Sequence, residues 1–217
     1  MSNNTKAKQL KLATIFTSYI IFLMIWTIYT FFGDFAFPNE FINWLLGFMV
    51  HTLCWPTFAL FLIHRFNLDL NVQLKKMLTT FPKLTILLPL LLVAFAYNFL
   101  CWKLNPAGFG NTMKAYDLII TIGTVGFFEE ILFRGWFQNA LSHFVSEPKA
   151  NLIAAALFVF VHYPKWISHG YSPLDLVIRS MQIYALGLIF GWIFRKTKSI
   201  WGCTILHSFW DALVFLL

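Results

Sequence analysis

Long apolar stretches alternate with short polar breaks along most of this chain. The apolar stretches lie near residues 12–32, 41–63, 84–104, 117–143, 151–163, 175–194 and 200–217. A helix needs roughly 20 residues to cross the hydrocarbon core of a membrane, and most of these stretches approach that length. Backbone groups in lipid must be hydrogen-bonded internally, and no stretch shows the alternation of a membrane strand. The pattern predicts an all-α, polytopic transmembrane helical bundle of about seven spans, of which the fifth and seventh are short.

The composition supports membrane insertion and excludes a water-soluble domain. Hydrophobic residues make up 59% of the 217 residues and charged residues only 12%, whereas about a quarter of the residues in a soluble domain are charged. The segment Met1 to Leu10 is polar, and the apolar stretch that follows is about twice as long as the core of a signal peptide. We therefore expect residues 12–32 to be retained as the first span.

The net charge of +7 comes from basic residues beside the ends of predicted spans, so nucleic-acid binding is not expected. With a cytoplasmic amino terminus, the inside segments would hold eleven basic residues: Lys6, Lys8, Lys11, Arg65, Lys75, Lys76, Lys83, Lys149, Arg195, Lys196 and Lys198. The outside segments would hold three: Lys103, Lys114 and Lys165. This distribution predicts a multi-pass protein of the cell membrane whose amino terminus is cytoplasmic.

The fourth predicted span carries three ionisable residues, Glu129, Glu130 and Arg134. A charge at the bilayer centre costs about 2.5 to 3.5 kcal/mol on insertion scales, so such residues are candidates for function. Residues four apart share a helix face, and Glu130 can therefore pair with Arg134. Glu129 is turned about 100° away from that face, which leaves its carboxylate available. The structural alternative is a buried charge network that only holds helices together.

Two later apolar stretches each carry a pair of residues at helical spacing. Phe158 and His162 are four apart in the fifth stretch, and the same spacing separates His207 from Asp211 in the last one. The two residues of each pair therefore lie on the same face of their helix. The other histidines are interpreted as interfacial or core residues: His51, His64, His143 and His169.

These side chains suit the hydrolysis of a peptide bond. A carboxylate shielded from bulk water can take a proton from a water molecule that a histidine orients, which are the roles expected for Glu129 and His162. The oxyanion that develops on the attacked carbonyl needs a donor, and His207 with help from Asp211 could supply it. Serine or cysteine catalysis is disfavoured, because the sequence has no GxSxG motif and its three cysteines lie far apart in apolar segments.

Three motifs follow one another along the chain: EExxxR from Glu129 to Arg134, FxxxH from Phe158 to His162, and HxxxD from His207 to Asp211. Together they resemble the CPBP family, also called the Abi family, which comprises CAAX proteases and bacteriocin-processing enzymes. One short motif recurs by chance, but three in this order make the resemblance specific. It implies a catalytic core over residues 115–217, preceded by transmembrane helices and a cytoplasmic loop in residues 1–114.

The resemblance implies a role for each motif residue. In this family the first glutamate and the FxxxH histidine are taken to activate water, and the last histidine and its partner to stabilise the oxyanion. The corresponding residues are Glu129, His162, His207 and Asp211, with Glu130, Arg134 and Phe158 as structural supports. Asp211 departs from the HxxxN pattern that well-known relatives resemble. An ionised aspartate cannot donate to an oxyanion, so Asp211 is expected to orient His207 instead.

The leading hypothesis is an intramembrane endopeptidase, a hydrolase that cleaves membrane-associated peptides or proteins in CAAX-type or bacteriocin-processing proteolysis. No cofactor is expected, although one Glu, two His and one Asp could also ligate zinc in a metalloprotease. A non-proteolytic bacteriocin immunity or scaffold protein is the second hypothesis, because a fold does not determine a function. A proton-coupled transporter is the third, but no inverted repeat is visible.

Two further features concern packing. Gly187 and Gly191 form a small face that lets another helix approach closely. Packing inside the bundle is favoured over packing between protomers, and the oligomeric state stays open.

The stretch 67–81, with its spaced Leu70, Val72 and Met77, predicts either an amphipathic helix along the membrane interface or a plain loop.

Overall fold

A computed structural model of the chain describes residues 10–32, 39–105 and 121–217. Within these ranges the chain forms helices joined by turns and contains no strand, which confirms the all-α prediction. The helices are α1 (Leu12–Phe32), α2 (Glu40–Arg65), α3 (Leu74–Thr79), α4 (Leu84–Leu104), α5 (residues 121–141), α6 (Glu147–Phe160), α7 (Tyr163–Ser168), α8 (Pro173–Thr197) and α9 (Ile200–Leu216).

Five helical stretches in the described residues are long and apolar enough to cross a membrane: α1, α2, α4, α8 and the stretch Glu147–Ser168 that comprises α6 and α7. The protein is therefore a multi-pass membrane protein. The apolar helix α9 is shorter, with 17 residues, and the total of seven spans stays a prediction. Residues 117–120 of the fourth predicted span, the basic residues Lys6, Lys8 and Lys114, and the boundary after residue 114 lie outside the described residues.

The fifth stretch is longer than the sequence suggested. It was expected to be a short span over residues 151–163, but its helix begins at Glu147 and the apolar helical stretch reaches Ser168. Pro148 lies in the first turn of α6, where a missing N–H breaks no intrahelical hydrogen bond. The proline is therefore compatible with the first turn of this helix.

The connection between α2 and α4 packs against the buried core of the protein. It is a loop with one short helix, α3, and the side chains of Leu70, Val72 and Met77 are buried. Asn139 of α5 holds the loop, because its amide accepts a hydrogen bond from the Val72 N–H at 3.0 Å and donates one to the Val72 carbonyl at 2.7 Å. The oxygen and the nitrogen of one side-chain amide thus satisfy the N–H and the carbonyl of a residue that lies outside any helix.

Helix α5 is the centre of the bundle, since every residue from 128 to 141 is buried. The N-terminal helix packs against this centre and against α6. The Trp136 indole N–H donates to the Ser18 hydroxyl at 3.0 Å, and the Tyr19 hydroxyl donates to the Leu157 carbonyl at 2.9 Å. Helices from both parts of the chain therefore share one buried core around α5.

Candidate active site

A buried ion pair on α5 forms the base of the site. The Arg134 Nη1 lies 3.0 Å from Glu130 Oε1, and both side chains are almost completely buried. The other guanidinium nitrogen, Nη2, donates to the Gly187 carbonyl at 3.0 Å. The guanidinium also lies over the rings of Phe158 and Phe190, at 4.5 and 5.2 Å from their centroids. The predicted pairing of Glu130 with Arg134 is confirmed, and these contacts compensate for the burial of the two charges.

The glycines of α8 allow this helix to approach α5 and α6 closely. A Cβ atom on Gly187 would lie 3.1 Å from the Cβ of Ala155. A Cβ on Gly191 would overlap the side-chain amides of Asn151 and Gln138. The Gln138 amide donates to the Gly191 carbonyl at 2.9 Å. Because the two glycines have no side chain, buried donors on α5 can reach their backbone carbonyls. The glycine face is used inside the bundle, as expected.

His207 of α9 is held by Glu130. Its Nδ1 lies 2.8 Å from Glu130 Oε1, and an ionised carboxylate only accepts hydrogen bonds, so Nδ1 carries the proton. The opposite nitrogen, Nε2, lies 3.8 Å from Glu129 Oε2 and 3.8 Å from Asp211 Oδ2. The Phe190 ring stacks on the imidazole at 4.9 Å. The bond that orients His207 therefore comes from Glu130, whereas Asp211, expected in that role, lies beyond hydrogen-bonding distance.

The end of α6 fixes His162. Because the helix ends at Phe160, the His162 N–H bonds to the Val159 carbonyl and leaves the Phe158 carbonyl for the imidazole, whose Nδ1 lies 2.7 Å away. A carbonyl only accepts, so Nδ1 is the donor and Nε2 stays free to accept in the neutral ring. The FxxxH spacing thus has a physical reason, since the imidazole N–H caps the helix end by donating to the carbonyl four residues earlier.

One cavity of about 350 Å³ brings the candidate residues together. Six polar side chains line it: His51, Glu129, His162, Lys165, His207 and Asp211. The rest of its wall is aromatic or aliphatic, with Phe158 and three tryptophans, Trp26, Trp55 and Trp210, among the lining residues. Glu130 and Arg134 lie behind His207 and do not line the cavity. The four side chains predicted as catalytic therefore share one cavity, and two of the three predicted supports lie behind it.

Two residues that line the cavity, His51 and Lys165, were not predicted from the sequence. His51 was interpreted as an interfacial or core histidine, and Lys165 as one of three basic residues in the segments on the side opposite the cytoplasm. Neither belongs to a motif, and only the packing of α2 against α5 and of α7 against α1 brings them to the cavity. Nothing in the local pattern of either helix distinguishes these two positions.

The absence of a cofactor stays a prediction. Among the residues that the structure describes, no group of three or more His, Cys, Asp or Glu side chains could hold a metal ion. One nitrogen of His207 is bound to Glu130, and one nitrogen of His162 to a backbone carbonyl. The arrangement is a hydrogen-bonded network around a free carboxylate, and we assign no step to zinc.

The comparison with known protein families confirms the resemblance. Residues 111–213 match the model of the type II CAAX prenyl endopeptidase Rce1-like family. All seven motif residues lie inside the match, whereas His51, Trp26 and Trp55 of the cavity wall lie outside it. No curated protein matches the chain at a significant level.

Proposed function

We propose that this chain, whose residues 111–213 match the Rce1-like family, is an intramembrane endopeptidase that uses Glu129 to activate water. Its substrates are membrane-associated peptides or proteins. The observation that carries the proposal is the contrast between two neighbouring carboxylates at one cavity. Glu130 is neutralised by Arg134, while Glu129 makes no hydrogen bond within the described residues and borders the cavity.

Glu129 and His162 suit the activation of water. The Glu129 carboxylate takes a proton from a water molecule, and Nε2 of His162 accepts the second hydrogen bond of that water. The water oxygen attacks the carbonyl carbon of the scissile peptide. The proton then passes from Glu129 to the amide nitrogen as the C–N bond breaks, so that an amine leaves and a carboxylic acid remains, which gives its proton to the amine or to water. Both side chains line the same cavity, so one water molecule can contact both of them.

His207 suits the stabilisation of the oxyanion. Glu130 binds its Nδ1–H, so Nε2 is the nitrogen available towards the cavity, and with a proton it donates to the developing negative charge. The Asp211 carboxylate lies 3.8 Å from Nε2 and cannot donate itself. Its negative charge stabilises the positive imidazole ring, which is a different role from orienting the ring.

The test is cleavage of a pool of membrane-anchored peptides by the purified full-length chain in lipid vesicles. Wild-type protein should release fragments, and Glu129→Gln, which keeps the size of the side chain, should lose cleavage. Glu147→Gln is the matched control, because Glu147 lies at the start of α6 and its ion-pair partners among the described residues are Arg195 and Lys198. Equal cleavage by wild type and Glu129→Gln would contradict the proposal.

Two further arms separate the alternatives. A zinc chelator should leave cleavage unchanged, and a loss that added zinc restores would instead support a metalloprotease. If neither wild type nor Glu129→Gln cleaves any peptide of the pool, the endopeptidase proposal fails for these substrates. The bacteriocin-immunity alternative then predicts that wild type and Glu129→Gln protect cells from a bacteriocin equally.

A further inference from the structure

We infer that the cavity of the candidate active site opens on the extracytoplasmic side of the membrane, and that its substrates are peptide segments presented on that side. The inference rests on the proposed endopeptidase function and adds the side of the membrane from which the substrate reaches Glu129. Two observations carry it: the position of the basic residues in the bundle, and the direction in which the cavity becomes exposed.

One end of the bundle, which we call the basic end, is held together by contacts between connecting segments. Four of these contacts join Leu10 with Asp69, Asn71 with Ser142, Thr80 with Ser199, and Glu147 with Lys198. The basic end therefore comprises the start of α1, the connection from α2 to α4, the turn from α5 to α6 and the turn from α8 to α9. Nine Lys and Arg residues lie in or next to these segments: Lys11, Arg65, Lys75, Lys76, Lys83, Lys149, Arg195, Lys196 and Lys198.

The opposite end of the bundle carries few basic residues. In the described part of the chain these are Lys103 at the end of α4, Lys165 in α7 and Arg179 near the start of α8. Lysine and arginine in short connections are concentrated on the cytoplasmic side of a membrane. Nine basic residues against three therefore assign the basic end to the cytoplasmic side and the opposite end to the extracytoplasmic side.

Toward the basic end the cavity is closed. Glu129 of α5 lines the cavity, and α5 runs from there to the turn at the basic end. Residues 130–141 of this helix are all buried. Glu130 and Arg134, the pair behind His207, are 0% and 1% exposed. A layer of packed side chains therefore separates the cavity from the cytoplasmic side.

Toward the opposite end the cavity becomes exposed. On α9, the exposed fraction of the side chain rises from 9% at His207 to 19% at Asp211, one turn nearer to that end. After the end of α6, His162 is half-buried and Lys165 of α7 is exposed. All four residues line the cavity. Within the described residues, the mouth of the cavity is therefore formed by α7 and the last turns of α9.

Lys165 indicates that water reaches this mouth. Its ammonium group donates no hydrogen bond and forms no ion pair within the described residues, whereas the Nζ of Lys198 lies 2.6 Å from Glu147 Oε1. A lone charge in hydrocarbon is costly, so the unpaired ammonium lies where water solvates it. Hydrolysis needs water at Glu129, and the mouth supplies it from the extracytoplasmic side. Peptide segments that enter by the same route are those that lie on that side.

The first test measures the side of the membrane and does not depend on turnover. The full-length chain, with Ala in place of its three native cysteines, receives one new cysteine. Spheroplasts of an expressing bacterium are then treated with a charged maleimide, which does not cross the bilayer. Lys165→Cys at the mouth and His169→Cys at the exposed end of α7 should react in intact spheroplasts. Lys149→Cys at the basic end should lose this reaction and regain it when the membrane is permeabilised.

The second test measures cleavage from each side. Membrane vesicles that contain the wild-type chain are prepared right-side-out or inverted, and lipid-anchored peptides are added to their outer leaflet. Right-side-out vesicles should cleave the peptides. Inverted vesicles should lose cleavage until detergent gives the peptides access to the cavity. Vesicles with Glu129→Gln are the matched control, because they retain every other protease of the host.

Three outcomes would overturn the inference. They are reaction of Lys149→Cys but not of Lys165→Cys in intact spheroplasts, an unreactive Lys165→Cys beside a reactive His169→Cys, and cleavage by inverted vesicles equal to that by right-side-out ones. The proposed function fails separately. Labelling as expected, without cleavage in detergent that depends on Glu129, removes the endopeptidase and leaves the side of the cavity. Cleavage that depends on Glu129 but occurs in inverted vesicles removes the side and leaves the endopeptidase.

Discussion

Glu129 and Glu130 are neighbours in the chain but lie in two different regions of the molecule. Glu130 is completely buried and accepts hydrogen bonds from Arg134 and His207, whereas Glu129 borders the cavity and has its closest basic partner at 3.8 Å. A turn of about 100° along α5 separates their side chains. The same chemical group is therefore held by two hydrogen bonds in one region and makes no hydrogen bond within the described residues in the other. Position on the helix, not residue type, assigns the role.

The largest expected effect separates these two regions by activity. Glu129→Gln should lower kcat/KM by about a hundredfold to ten-thousandfold, the range for loss of a general base. Its free energy of unfolding should change by less than about 1 kcal/mol, because a neutral amide at the cavity edge breaks no hydrogen bond in the described residues. The measurements are peptide cleavage and thermal unfolding in the same detergent.

Glu130→Gln is the matched variant for this prediction. It should lose both activity and stability, because Arg134 is left without its carboxylate and His207 loses the acceptor that orients it. The reverse pattern, with an active Glu129→Gln and an inactive but stable Glu130→Gln, would exchange the roles of the two carboxylates.

The second effect concerns stability in the buried region. Arg134→Met should cost about 3 to 5 kcal/mol, the range for removing one partner of a buried ion pair. The double variant Glu130→Gln with Arg134→Met should recover much of that loss, since no unpaired charge remains. Denaturant or thermal unfolding measures both variants. If the double variant were as unstable as the sum of the single ones, the ion pair would not explain the cost.

The third effect is smaller and lies in the cavity. Asp211→Asn should lower kcat about tenfold and leave KM unchanged, because the side chain stabilises charge on His207 in the transition state only. The loss is limited, since an asparagine amide can itself donate to the oxyanion. Steady-state kinetics measure it. A loss as large as that of Glu129→Gln would instead assign Asp211 to the proton transfer.

The sequence predicted the helical bundle well because long apolar stretches without strand periodicity leave one solution in a membrane. It also predicted the Glu130–Arg134 pair, because residues four apart on a helix must be neighbours. It could not predict that Glu130 also holds His207, since this contact joins residues 77 positions apart. The cavity residues His51 and Lys165 were missed for the same reason: only the packing of separate helices brings them together.

The smallest expected effect extends the comparison to a second ion pair. Glu147 pairs with Lys198 at 2.6 Å, and the two side chains are 38% and 32% exposed. Glu147→Gln should therefore change the free energy of unfolding by less than about 1 kcal/mol, because water solvates both groups when the pair is broken. High salt should reduce even this difference. If Glu147→Gln were instead as destabilising as Arg134→Met, burial would not distinguish the two pairs, and the fixed role of Glu130 would lose its physical basis.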